Sequence, residues 1–406
     1  MSIDLADWIN EVSGTNWVWF LKRLSANDTL ANGTHQAGPY IPKDFLFTVF
    51  PSLNHPEKQN PNVKFELVVD SHSDFRNVRA IWYNNKLHGK TRNETRITGF
   101  GGVESALLDP ESTGSLAVFS FRLDGNAEAG ICHVWVCRNA LEEDLIEERT
   151  GTVEPGKWKI WTKSALLAEK EKTCARGTCW LQSEEIPAGW LEAFPSGAEI
   201  VRKAIELRPD FMKLDPDHRL IKRRDCEYEM FLSLEEAVEL PVIRRGFSSI
   251  EEFVSRAQGI LQRRKTRSGR SLELHTKGIF IEERLEEGKD FSYQPESEPG
   301  KRPDFLFPSE NVYKNSGFNA SRLRMLAVKT TLKDRWRQIL DEADRIETKH
   351  LLTMQEGVSE NQFREIQRTN VCLVVPSPLI ESYPKSVRPY LSTLESFMDE
   401  VRILRM

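Results

Sequence analysis

The sequence predicts a two-domain α+β protein, a mostly β barrel or sandwich followed by an α/β domain. Three observations carry this prediction. The first 165 residues hold many short apolar runs separated by turns rich in Asn, Gly, Pro and Asp. Beyond about residue 187, helical periodicities alternate with short apolar strands, the pattern of a sheet covered by helices. Between the halves, AEKEKTCARGTCWLQSEEIP shows no apolar period and reads as a linker. The expected domains are therefore 1–165, a linker over 166–186, and 187–406.

In the first half, the runs at 45–50 (FLFTVF), 63–69, 80–83 and 116–121 read as strands. ICHVWVC (131–137) reads as another, which sends Cys132 and Cys137 to opposite faces and bars a shared metal. In the second half, 198–207, 228–240 and 249–263 read as helices, followed by RPDFLF as a short strand. The apolar run 323–328 reads as a buried strand ending at Lys329. Thr331 with Asp334 forms a capping-box pattern that predicts a helix, with Trp336, Ile339, Leu340, Ala343 and Ile346 as its buried stripe. A strand at 351–353, a helix at 360–368, a strand at 371–375 and a last helix from about 387 complete the reading.

Composition narrows the function classes. Hydrophobic content of 39% and charged content of 29% describe a globular chain. No apolar run reaches membrane-spanning length, and MSIDLADWINEV lacks a signal-peptide layout, so a cytoplasmic protein with no membrane contact is expected. Net charge is −5, but the charge is segregated. Residues 321–340 hold six Lys/Arg against one acid, and 263–270 hold five basic residues and no acid, as suits a basic cleft for phosphates. Acids gather instead in LEEDLIEE and EERLEEGKD. The cysteines form no zinc pattern, and reduced thiols are expected.

Asp304 precedes Lys329 by 25 residues. A Pro-Asp strand beside an acid-x-Lys strand places two carboxylates and an amine on one side, because alternate strand residues share a face. Such a set holds Mg²⁺ against a phosphate and brings the amine to the attacking water. Here Ala327 stands where the second acid belongs, and Glu342 is available as its replacement.

The string AVKTTLKDRWRQILDEAD, with RLSANDT, GTHQAGPYIP, HGKTRNETRIT, RRDCEYEMFL, RRKTRSGRSLELH and RPDFLFPS, resembles the EcoRII-like restriction endonucleases. These are a branch of the PD-(D/E)xK nucleases in which the second acid has moved to the helix. The resemblance runs nearly end to end. It implies an N-terminal DNA-binding pseudobarrel and a C-terminal α/β restriction-endonuclease-like domain. By it, Asp304, Lys329 and Glu342 match catalytic positions, with Glu273 near a second metal and Mg²⁺ as cofactor. Asp334, Arg335 and Arg337 match readers of the outer C·G pairs. Lys333 would touch a phosphate, and Gln262 the pair beside the centre. Arg224 and Tyr228, four apart on a helix, would hold a flipped base.

His35, Tyr40, Lys90, Arg92, Glu94 and Arg96 match contacts to a second, effector copy of the site. Lys90, Arg92, Glu94 and Arg96 also share one side of an extended segment, where arginine suits guanine and glutamate suits cytosine. Thr95 departs from the family, which carries lysine there. The implied activity is type IIE cleavage of a CC(A/T)GG-like palindrome in double-stranded DNA, before the first cytosine, by a homodimer of C-terminal domains. A sequence-specific DNA-binding regulator with a decayed nuclease half is the alternative. The missing acid at Ala327 favours it, and Lys329 with Glu342 weighs against it.

Overall fold

The computed structural model describes all residues except 1–3, 34–37, 90, 164–177 and 406. Two compact units result. The first takes Met1–Lys172, Gln355–Arg364 and Glu381–Pro389, and the second takes the remainder.

The first unit is built on seven strands: β1 (Trp17–Arg23), β2 (Asn62–Val69), β3 (Asp74–Tyr83), β4 (Glu94–Thr98), β5 (Leu116–Leu123), β6 (Ala129–Val136) and β7 (Trp158–Thr162). Their order is β4-β3-β2-β6-β5-β1-β7, antiparallel throughout except for the parallel pair β2 and β6. The central strands are apolar on both faces, and the period of two sorts them into two cores. Val18, Phe20, Phe119, Phe121 and Val134 fill one core. Trp17, Trp19, Leu21, Val118 and Trp135 fill the other, against helix α1 (Leu5–Glu11). Cys132 and Cys137 fall in opposite cores, as their spacing predicts.

One reading of this half is corrected. FLFTVF is not a strand but part of helix α2 (Lys43–Val49). Phe45, Leu46, Val49 and Phe50 are buried at helical spacing, and Pro42 and Pro51 bracket the element. Several acids of LEEDLIEE are tied into the core. They lie on helix α3 (Ala140–Thr150), where Glu143 and Glu147 each meet the buried Arg23 at 2.8 Å and Glu142 accepts from the Trp135 indole at 3.1 Å.

The second unit begins with short α4 (Ala188–Glu192) and α5 (Gly197–Leu207), then two long helices, α6 (Pro216–Arg245) and α7 (Ile250–Glu282). An ion-pair ladder ties α6 to α7: Glu227 to Arg267, Glu235 to Arg264, and Glu239 to Arg256 and Arg263. Cys179 and Cys226, with Cα atoms 5.1 Å apart, form a disulfide, which replaces the expected free thiols at these positions. Spacing carries no sign of the pair, because only the fold of residues 178–186 along α6 brings it together.

The sheet contains β8 (Ser292–Tyr293), β9 (Phe305–Phe307), β10 (Arg324–Lys329), β11 (Lys349–Thr353) and β12 (Val371–Val374), in the order β12-β11-β10-β9-β8. β10, β11 and β12 run parallel, while β9 is antiparallel to β10. Three further helices are α8 (Glu310–Lys314), α9 (Glu360–Arg368) and α10 (Leu394–Arg405). Asp217, at the start of α6, accepts backbone N–H bonds from Ser377, Leu394 and Glu395 and so caps α10. The final helix starts at Leu394, later than the expected 387. The fold is thus a two-domain α+β protein, β-rich in its first half and mixed α/β in its second.

Candidate active site and nucleic-acid interface

Asp304 stands immediately before β9, and Lys329 closes β10. The two strands pair through Phe305 and Leu326, so the next step of the ladder carries Asp304 toward the end of β10. There Asp304 Oδ2 accepts the Val328 N–H at 2.7 Å. Burial pushes the Asp304 carboxyl up to about 6; the Lys329 ammonium opposes this and the Glu273 carboxylate adds to it. Glu273 lies on α7, its Oε2 held by Tyr293 Oη at 3.1 Å and Gln294 Nε2 at 2.9 Å.

The expected α-helix after Lys329 is a short 3₁₀ helix, Lys333–Ile339. Thr331 does not cap it. Its hydroxyl is buried without a partner, and Leu332 takes the cap position with no side-chain bond. Trp336, Ile339, Ala343 and Ile346 of the expected stripe are nevertheless buried and Leu340 is half-buried; Trp336 and Ile339, spaced by three, suit the three-residue turn. Ala343 adopts a left-handed φ of 50°, ending the run. Glu342 therefore stands in a turn and not on a helix.

Glu342 still reaches the acids. Burial pushes its carboxyl up to about 7, the Asp304 charge pushes the same way, and Lys329 and Lys349 oppose. Its Oε2 is buried without a hydrogen-bond partner. Lys349, 6% exposed at the start of β11, donates to the backbone carbonyls of Glu342 and Ala343 at 2.6 and 2.7 Å. That lysine, with Tyr293 and Gln294, escaped the sequence reading. A lone lysine opening the apolar run KHLLT was the one visible signal.

Among the described residues no three His, Cys, Asp or Glu side chains form a ready ligand cage. The donor set nevertheless fits a divalent cation. Mg²⁺ uses one or two carboxylates and completes its shell with water and phosphate oxygens. An unpartnered buried carboxylate oxygen beside a second desolvated acid is such a set.

The expected base readers sit on the 3₁₀ helix. Arg337 bonds Asp334 at 2.9 Å and Glu365 at 3.0 Å and lies over the Trp336 ring at 4.6 Å. Arg335 and Lys333 are half-buried. Gln262 lines a cavity of about 400 Å³ between α5, α6 and α7. Arg224 is buried and Tyr228 half-buried on α6.

In the first unit, Tyr40, Tyr83, Arg92, Glu94 and Arg96 line one cleft of about 940 Å³. Arg92 lies 3.6 Å over the Tyr83 ring. Burial opposes ionisation of Glu94, but hydrogen bonds from Arg92 and Arg96 prevail and hold it below the usual carboxylate range. Asp28 accepts from Lys22 and from the Tyr40 N–H, pinning the loop that presents Tyr40. Thr95, where the resemblance leads one to expect lysine, is buried and also lines this cleft. His35 and Lys90 lie outside the described residues.

An acid-and-lysine constellation at the end of a mixed sheet, paired with a β-rich unit carrying a polar cleft, defines a two-part nuclease. The family description "Restriction endonuclease EcoRII, N-terminal" matches residues 13–165, and "EcoRII C terminal" matches 231–398. The chain is 44% identical over 407 residues to the type II restriction enzyme EcoRII of Escherichia coli, covering 97% of this chain and 96% of that one. It belongs to the EcoRII family and is a type II restriction endonuclease. Solved structures of metal-depleted Ecl18kI with uncleaved DNA share 18% identity, with a TM-score of 0.41 over 52% of this chain and 80% of that chain. The B3 domain of UbaLAI with cognate DNA gives 18% identity, a TM-score of 0.27, and coverage of 39% and 96%.

Proposed function

We propose that this enzyme is a type IIE endonuclease that cuts a CC(A/T)GG-like site in double-stranded DNA with Mg²⁺. The observation that carries this is the meeting of Asp304, Lys329 and Glu342, with Glu273 beside them, around a buried carboxylate oxygen that has no partner. Asp304 and Glu342 would hold the cation, with Glu273 beside a second. When bound, the ion supplies Lewis-acid polarisation of the scissile phosphate.

The chain's own groups do the rest. Val328 N–H fixes one oxygen of Asp304, and Lys349 fixes the turn that carries Glu342. Lys329 orients water for in-line attack, leaving 5′-phosphate and 3′-hydroxyl ends before the first cytosine. Asp334, Arg335 and Arg337 read the outer C·G pairs from the 3₁₀ helix, Lys333 meets a phosphate, and Gln262 meets the pair beside the centre. Arg224 and Tyr228 receive the flipped central base. A palindromic target calls for a two-fold dimer of C-terminal domains.

Tyr40, Arg92, Glu94 and Arg96, with His35 and Lys90, bind a second copy of the site, and the empty unit restrains cleavage. Restriction of incoming DNA places the protein in the cytoplasm. The test is plasmid cleavage with Mg²⁺. Discrete fragments ending at CC(A/T)GG, faster with two sites than with one, are expected. Absence of cutting, or nicking that ignores sequence, would refute the proposal.

A further inference from the structure

One side of the proposed slot at Tyr228 is occupied. Arg224 is only 5% exposed, and its charge bears on the fully buried His275. A face of the Tyr228 ring is instead covered by Arg267 of α7, whose guanidinium carbon lies 4.7 Å from the ring centroid and 5.3 Å from that of Phe231. Arg267 is itself 8% exposed, and its Nη1 donates to Glu227 Oε2 at 2.8 Å. Ser271 Oγ donates to the same oxygen at 2.9 Å. A base sandwiched between two planes needs a separation of about 7 Å, twice the usual contact of about 3.5 Å. At 4.7 Å there is no room.

Beside this stack is the cavity of about 400 Å³, lined by Glu227, Phe231, Gln262 and Arg267 among others. The second carboxylate oxygen, Glu227 Oε1, is buried there without a hydrogen-bond partner. A swung guanidinium has both the space and an acceptor at hand.

We propose that Arg267 is the plug of the base slot: a flipped central base takes its place over Tyr228, and the guanidinium moves into the neighbouring cavity while staying paired with Glu227. This rests on the base-flipping reading given above. Because the ion pair with Glu227 survives the move, the buried charge is not orphaned, and the cation–π contact is part of what the move gives up. That loss is the same whatever base enters. The plug thus sets a uniform threshold, and the unstacking cost of each pair supplies the discrimination between A·T and G·C centres.

The experiment uses the full chain without divalent metal and five-base-pair sites carrying 2-aminopurine at the centre. Brightening with the natural protein establishes flipping, and its absence would overturn the slot reading and the plug with it. The double variant Glu227→Gln/Arg267→Met removes the charge pair together and keeps side-chain volume. Its fluorescence midpoint is expected at roughly three- to tenfold lower protein concentration. Sites with A·T and G·C neighbours to the probe, and competitor duplexes of either centre, should gain equally. A midpoint that is unchanged or raised, with brightening by the natural protein intact, would overturn the plug alone. Should the double variant fail to fold, Arg267→Lys keeps the pair with Glu227 and loses the planar stack, and it must shift the midpoint downward for the plug to stand.

Discussion

At the scale of single residues, the proposed function separates groups that act on phosphate from groups that read bases. By the proposed function Asp304, just before β9, and Lys329, at the end of β10, are of the first kind, and Arg335, on the 3₁₀ helix, is of the second. Asp304→Ala and Lys329→Ala should each abolish cleavage while leaving affinity for the cognate site nearly unchanged, measured by gel shift beside a cleavage assay. Parallel loss of both activities would remove these residues from the chemistry. Arg335→Ala should act on binding itself. A bidentate guanine contact is worth about 1–3 kcal/mol per half-site, and dimer symmetry doubles the loss. Cognate affinity equal to that of the natural protein would take Arg335 off the reading face.

At the scale of elements, the decisive piece is the run from β10 through the 3₁₀ helix to the turn at Glu342. The strand was legible because an apolar run ending in a charged residue leaves few alternatives. The helix type was not, since spacings of three and four overlap over two turns and burial satisfies both. FLFTVF failed for a related reason: six apolar residues in a row carry no period, and only the flanking prolines hinted at a helix. The ion pairs of the α3 acids were not legible, because a buried partner such as Arg23, 120 residues away, leaves no local trace. The disulfide and Lys349 share that fault, being contacts made by the fold alone.

Lys349 yields the prediction proper to this scale. Its ammonium satisfies two carbonyls of the turn that aims Glu342. Lys349→Met should leave DNA binding intact and lower the single-turnover cleavage rate roughly 10- to 100-fold, as loss of a supporting contact to a metal ligand does. Partial recovery at raised Mg²⁺ is expected, because a loosened ligand weakens ion affinity before it removes it. A rate indifferent to the substitution would show that the turn holds Glu342 without help.

At the scale of the whole molecule, the chain does not divide cleanly at its linker. Residues 166–186 are the expected linker, yet Cys179, Leu181 and Ile186 pack in the second unit's core, and Gln355–Arg364 and Glu381–Pro389, well downstream, belong to the first unit. Within that unit Glu111 accepts from Ser359 Oγ at 2.8 Å and from Asn361 Nδ2 at 3.1 Å, and Tyr383 Oη donates to the Gln355 carbonyl at 2.8 Å. The first segment starts two residues after β11, and the second starts within the 3₁₀ helix Ser377–Ser382. A piece beginning near Glu184 therefore carries two segments stripped of the rest of their unit.

Two consequences follow for that piece, and they pull apart. Loss of the restraining domain should let it cut single-site DNA faster than the full chain does. Loss of the packing around Val358, Phe363, Tyr383 and Val387, all buried in the full chain, should lower its melting temperature. Calorimetry and a single-site cleavage assay on the same preparation check both. A truncated protein that melts like the full chain would mean the two segments stand without their unit. One that folds yet still needs two sites would place the restraint outside the first 183 residues.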